Sequence, residues 1–312
     1  MPRVGLYAGD ELAGYGFPDG HPFGPDRLAA FVNEARRRGL LDRTAALSSV
    51  AGDRAQLERF HAAAYVDRVE ELSELGVGLL DHGDTPAFPG CHEAAARVVG
   101  TVLDAAARIL SGELERVFVP IAGLHHARRD RAGGFCIYND CSVAVAFLLE
   151  RGVERLAYVD IDAHHGDGVY YGFEEEPRLF IADIHEDGRY LFPGTGRESE
   201  AGRGAATGTK LNIPLPPGAG DEAFFRAFAR VETFLEQARP ELILLQCGAD
   251  GLAGDPLTHL SYTTAAHHEA SRVLCELARR HAGGRLLALG GGGYDRRNLA
   301  AAWCEVLEQL MR

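Results

Sequence analysis

The chain is short of positive charge, of paired cysteines and of long apolar runs, and each shortage closes a class of function. Thirty-two lysines and arginines stand against forty-five aspartates and glutamates, a formal net charge of −13 over 312 residues. Phosphate contact needs a basic face, so this balance argues against a nucleic-acid partner. The same acidity would draw in cationic substrates such as polyamines or lysine-rich segments. The six cysteines, Cys91, Cys136, Cys141, Cys247, Cys275 and Cys304, form no CxxC pair and lie mostly in apolar segments. They are expected to be reduced, neither disulfide-bonded nor a thiolate metal site. No apolar run reaches membrane-spanning length. The opening Met-Pro-Arg-Val-Gly-Leu-Tyr has no signal-peptide core, so no membrane partner and a cytoplasmic location are expected. Repeats, low-complexity tails and interdomain linkers are missing too, and residues 1–312 read as one domain.

Short, unalternating runs rich in Val, Ile and Leu recur at residues 4–7, 117–120, 156–161, 179–184, 242–246 and 286–289. Strands buried on both faces read this way. Helical patterns cover 26–38, 91–110, 138–151, 221–237, 263–281 and 297–311. The alternation predicts an α/β fold, a central, mostly parallel sheet with helices on both faces. Gly- and Pro-rich loops at 9–25, 76–90, 123–134, 186–209 and 248–260 are long enough to be functional. Four of them follow a strand and would gather on one sheet edge, where open α/β sheets bind ligands.

The densest chemistry is Asp160-Ile161-Asp162-Ala163-His164-His165-Gly166-Asp167, at the end of the strand 156–161. Alternate residues of an extended segment share a face, so Asp162 and His164 aim at one point with Asp160 behind them. Carboxylate oxygen and imidazole nitrogen together suit a divalent metal doing hydrolysis, zinc first. Catalytic zinc typically takes three protein ligands; the candidate third is Asp250, delivered to the same edge by the strand 242–246, with Gly248 permitting close approach. His125 and His126 follow the strand 117–120 and suit general base and acid work near pH 7. Each needs an orienting carboxylate, and Asp160 and Asp167 are spare. The glycines at 290–293 lack the Lys-Ser/Thr ending of a phosphate loop. They let backbone press against a narrow pocket and present Tyr294 to a developing oxyanion. Phe135 and Phe192, each beside glycine on these loops, suit the walls of an apolar tunnel. His21-Pro22 reads as a turn into a helix, and His165, His259, His267 and His268 as structural or surface residues.

These residues, with Gly134-Phe135-Cys136-Ile137-Tyr138-Asn139-Asp140 and Asn212-Ile213-Pro214-Leu215-Pro216-Pro217-Gly218, resemble the histone deacetylase superfamily almost end to end. Within it, Gly83 to Gly90 and Asp255 to Leu260 look most like the bacterial acetoin-utilisation (AcuC-type) branch. The resemblance implies an arginase-like fold and removal of acetyl or another short acyl group from lysine in proteins or peptides. It implies one zinc, with iron(II) as the alternative, held by Asp162, His164 and Asp250. It implies His126, backed by Asp167, as general base, His125, backed by Asp160, as electrostatic partner, and Tyr294 as the catalytic tyrosine. Asp84 at the rim, Gly134, Phe135, Phe192, Leu257 and Gly292 would contact substrate, and Arg27 would lie near an acetate exit. Two structural sites for K+ or Na+ are implied. The nearer lies around Asp160, Asp162, His164, Asp183 and Ile184, and the farther near Phe173, Glu176 and Leu179.

Other readings compete. An acetylpolyamine amidohydrolase often carries a glutamate where this chain has Leu257, which disfavours a dicationic substrate. A dimanganese ureohydrolase on the same fold needs further bridging acids and leaves His125, His126 and Tyr294 idle. A non-catalytic acyl-ligand sensor leaves the whole catalytic set without use. Self-association is left open.

Overall fold

A computed structural model describes residues 4–18, 20–81 and 83–312. Met1–Arg3 of the opening segment, Asp19 of the first long loop and His82 of the second lie outside these. The strands are β1 (Val4–Tyr7), β2 (Ala45–Leu47), β3 (Arg116–Val119), β4 (Leu156–Asp160), β5 (Leu179–Glu186), β6 (Lys210–Leu215), β7 (Leu242–Gln246) and β8 (Leu286–Leu289). They form one sheet in the order β2-β1-β3-β8-β7-β4-β5-β6, with every neighbouring pair parallel. The expected sheet is thus wholly parallel. The central strands β3, β8, β7 and β4 are buried along their whole length, which is why they carry no alternation.

Helices α1 (Asp26–Arg37), α2 (Arg54–Leu57), α3 (Ala63–Leu75), α4 (Cys91–Leu110), α5 (Asp140–Glu150), α6 (Asp167–Gly172), α7 (Asp221–Ala238), α8 (Thr264–His281) and α9 (Arg296–Leu310) flank both faces. On one side α1, α9, α8 and α7 pack in that sequence; α4 packs with α3 and α5. Trp303 of α9 packs edge-on against Phe31 and Phe118, and its indole donates to Cys247 O and Gly290 O, both at 3.1 Å. Those two carbonyls sit just past β7 and β8, so a core residue pins the strand ends that carry the site. Arg116 is buried and donates to Leu310 O at 2.8 Å, meeting the unpaired carbonyls at the end of α9.

Two strands escaped the sequence pattern. β2 is three residues long, alanine-rich and partly exposed. β6 carries Lys210, Asn212 and Pro214, a poor apolar run. Both lie at sheet edges, where a proline costs no ladder hydrogen bond and burial on two faces is not required. The short helices α2 and α6 were also missed, along with α3.

Candidate active site

The strands β3, β8, β7 and β4 are neighbours in the sheet although they come third, eighth, seventh and fourth in the chain. Their carboxyl ends therefore bring together His125 and His126, the glycine run with Tyr294, Asp250, and the acid-histidine cluster. One donor atom from each of Asp162, His164 and Asp250 lies within 4.8 Å of the others, and all three residues are buried. His164 Nδ1 is 3.1 Å from both Asp162 Oδ1 and Asp250 Oδ2. Burial opposes charge on this imidazole, yet the two carboxylates push its pKa up to about 10. The trio calls for positive charge, and its oxygen and nitrogen donors fit a divalent ion.

The surroundings are shaped to that purpose. Asp162 Oδ2 accepts from Gln246 Nε2 and Gly292 N, both at 2.9 Å, and Asp250 Oδ1 accepts from Ala163 N at 2.8 Å. A Cβ on Gly248 would collide with the Asp162 carboxylate, and one on Gly292 would collide with both carboxylates. Gly292 is thus placed against the metal trio.

Beside the trio, His125 Nδ1 lies 2.8 Å from Asp160 Oδ2 and His126 Nδ1 lies 2.7 Å from Asp167 Oδ1. These are the pairs that the family resemblance implies. Burial disfavours a charge on both rings. Asp160, Asp162 and Asp183 outweigh it at His125 and push that pKa up to about 10. At His126, burial and the neighbouring His125 push the pKa down to about 4. Asp160 also accepts from Tyr158 Oη at 2.6 Å, and Asp167 from Arg128 Nη2 at 2.6 Å.

Several supporting residues went unread in the sequence. Gln246 and Tyr158 end or lie within apolar strands, and only their polarity in a buried run marks them. Asn139 caps α5 through Ser142 N and donates to His125 O and Ala127 O, at 3.0 and 2.9 Å. Asp140 accepts from Gly123 N and Leu124 N, both at 2.8 Å. His61 Nε2 accepts from Asn139 N at 2.9 Å.

An outer cavity of about 420 Å³ is lined by Asp84, Gly134, Phe192, His126 and Arg128, among others. It adjoins an inner chamber of about 10 Å³ lined by His125, His126, Asp162, His164, Gly292 and Tyr294. His126 and Gly134 border both. Phe192 stands half-exposed, its ring 5.0 Å from that of His126. Phe135 lines neither cavity; its ring sits edge-on to His21 and Tyr294. Its backbone is left-handed, φ 66°, a strained state for an aromatic residue. Tyr15 Oη on Phe135 O (2.7 Å) and Phe135 N on Thr85 Oγ1 (3.1 Å) hold it there. Burial and the adjacent Asp81 push the Asp84 carboxyl up to about 6.

The other expected positions divide. Arg27 is buried and lines neither cavity. It donates to Gly293 O at 3.0 Å and Gly291 O at 2.6 Å, under the run that presents Tyr294. Leu257 also lines neither cavity; its N–H donates to Asp255 Oδ1, while Asp255 Oδ2 accepts from Tyr294 N. Asp183, paired with Asp160 in register, accepts from Gly166 N and bonds His185, beside Ile184. Glu176 O and Leu179 O both accept from Lys210 Nζ, whereas Phe173 O accepts from Glu176 N. His165 bonds Thr195 Oγ1, His259 bonds Glu186, His267 bonds Gly248 O and His268 bonds Glu305, all in supporting roles. The six cysteines are free and buried. Among the described residues no helix is long and apolar enough to cross a membrane.

Comparison with known proteins agrees with this arrangement. The histone deacetylase domain family matches residues 21–310. The acetoin utilization protein AcuC of Bacillus subtilis (strain 168) is 38% identical over 94% of this chain and 78% of its own length. Histone deacetylase 19 of Arabidopsis thaliana is 34% identical over 97% of this chain and 61% of its own. The crystal structure of the HDA15 HD domain superposes with a TM-score of 0.90 at 26% identity, covering 100% of this chain and 90% of that one. With its candidate metal trio, paired histidines and tyrosine past the ends of four adjacent parallel strands, the chain belongs to the histone deacetylase family, in its AcuC-type branch.

Proposed function

We propose that this protein, acting as one domain over residues 1–312, hydrolyses the amide of an acetyl or other short acyl group on the ε-amine of lysine in a protein or peptide. The observation that carries this reading is the convergence of Asp162, His164, His125, His126 and Tyr294 on one small chamber at the floor of an open cavity. Asp162, His164 and Asp250 would hold one zinc, or iron(II), which when bound polarises the acyl carbonyl and acidifies water. His126, neutral at pH 7, takes a proton from the attacking water at Nε2 and returns it to the departing amine. Asp167 fixes its tautomer through Nδ1. His125 stays cationic and steadies negative charge as it develops. The Tyr294 phenol, kept protonated by burial and by the Asp250 and Asp162 charges, donates to that oxygen.

Phe192 and Gly134 would guide the acyl-lysine stem, with Asp84 at the rim. A monovalent cation, K+ or Na+, near Asp160, Asp162, His164, Asp183 and Ile184 belongs to the same reading. The test is acetate release by metal-loaded protein from acetyl-lysine peptide and from N-acetylputrescine, with chelated protein as control. Faster release from the peptide is expected. Preference for the polyamine would transfer the assignment to polyamine hydrolysis, and no release from either would overturn it.

A further inference from the structure

Lys210 opens the edge strand β6, pairs in register with Ile181 of β5, and is only 3% exposed. Its ammonium donates to Glu176 O at 3.0 Å, Leu179 O at 2.5 Å and Thr209 Oγ1 at 2.9 Å. Burial pushes the Lys210 pKa down to about 7, and against this the three oxygens engage all three donors of the charged form. The Glu176 carboxylate turns away onto Arg178. The cage around the ammonium is therefore made of carbonyl and hydroxyl oxygens, the donor class that hard cations select. The lysine stem is accommodated as well. Gly202, at φ +90°, lies so close that a Cβ there would come within 3.2 Å of Lys210 Cγ.

Of the three residues expected near the farther monovalent cation, Glu176 and Leu179 thus give their carbonyls to a lysine, and the carbonyl of Phe173 accepts from Glu176 N. A second cation in this cage would share the ammonium's oxygens at bonding distance from a like charge, in a buried setting that screens poorly. The residues do not fit an exchangeable ion. We propose that Lys210 is a covalently tethered replacement for that ion, so that the protein takes up at most one monovalent cation. The inference depends on the fold and not on the proposed reaction.

The probe is thallium(I), a stand-in for K+, counted by equilibrium dialysis on the divalent-metal-loaded protein. At most one ion per chain is expected; two per chain would overturn the inference. Lys210→Ala should open the cage, bind one ion more than the wild type, and gain a larger rise in Tm when choline chloride is replaced by KCl. The extra rise expected is about 2–4 °C. A folded Lys210→Ala variant with no extra ion and no extra rise would also overturn it. Should that variant fail to fold, the wild-type count decides by itself.

Discussion

The Nε2 atoms of His125 and His126 lie 3.1 Å apart, so one ring donates and the other accepts. Asp160 and the further carboxylates around His125 make it the donor, and His126 is left neutral, its Nε2 electron pair accepting from His125 at the chamber wall. One proton shared by two rings prepares a base and a cation from the same residue type, and their environments alone divide the roles.

In the proposed reaction the Tyr294 hydroxyl serves only the developing oxyanion. Tyr294→Phe should lower kcat by roughly 10²–10³, the usual scale for losing one such donor. Zinc content and the circular dichroism spectrum should be unchanged. Near-normal turnover on acetyl-lysine peptide would remove the role.

Gly248 has an ordinary backbone conformation, so alanine is allowed locally, but its Cβ would overlap the Asp162 carboxylate. Gly248→Ala should weaken divalent-metal affinity by about 10–100-fold, as other displaced metal surroundings do. Competition against a chromophoric chelator measures it. An unchanged affinity would show that Asp162 is not held by this contact.

Arg128 binds the Asp167 carboxylate with Nε at 3.0 Å and Nη2 at 2.6 Å. Removing this cation leaves the Asp167 charge fully available to His126, which favours the imidazolium. Arg128→Met should move the acid limb of the kcat/KM profile to higher pH, since His126 must lose its proton to act as base. A limb that stays in place, or moves down, contradicts the arrangement.

His61 is buried, and burial pushes its pKa from the ordinary 6.5 to about 3. Above pH 6.5 the ring is neutral in both folded and unfolded chains, and its full contribution to stability is present. As the pH falls from about 6.5 towards 3, the unfolded chain binds a proton that the folded chain refuses, and stability is lost. His61→Gln keeps an acceptor for Asn139 N but does not titrate. Its urea midpoint should therefore vary less than the wild type's between pH 7 and pH 4. An identical slope would exclude His61 as a source of the acid sensitivity.

What the sequence by itself determined is local. The apolar runs at β4 and β7 announce buried strands and place Asp162, His164 and Asp250 just past their ends, although Asp162 and His164 meet through bends beyond β4 and not by the two-residue period of an extended strand. The residues alone offer Asp160 and Asp167 as spare acids without saying which histidine each orients; the pairing of His125 with Asp160 and of His126 with Asp167 is what the family resemblance implies, and the structure has it. What only the tertiary structure decided is which strand ends meet. The order β3-β8-β7-β4 seats Gln246 on Asp162 and Asp255 under Tyr294, and contacts with the distant Tyr15 and Thr85 hold Phe135 in its left-handed turn. The β5-β6 pairing carries the Lys210 ammonium to carbonyls 34 and 31 residues away. A propensity resides in neighbouring residues and can be read along the chain. A hydrogen bond between distant segments exists only once packing has placed both partners, and no linear pattern records it.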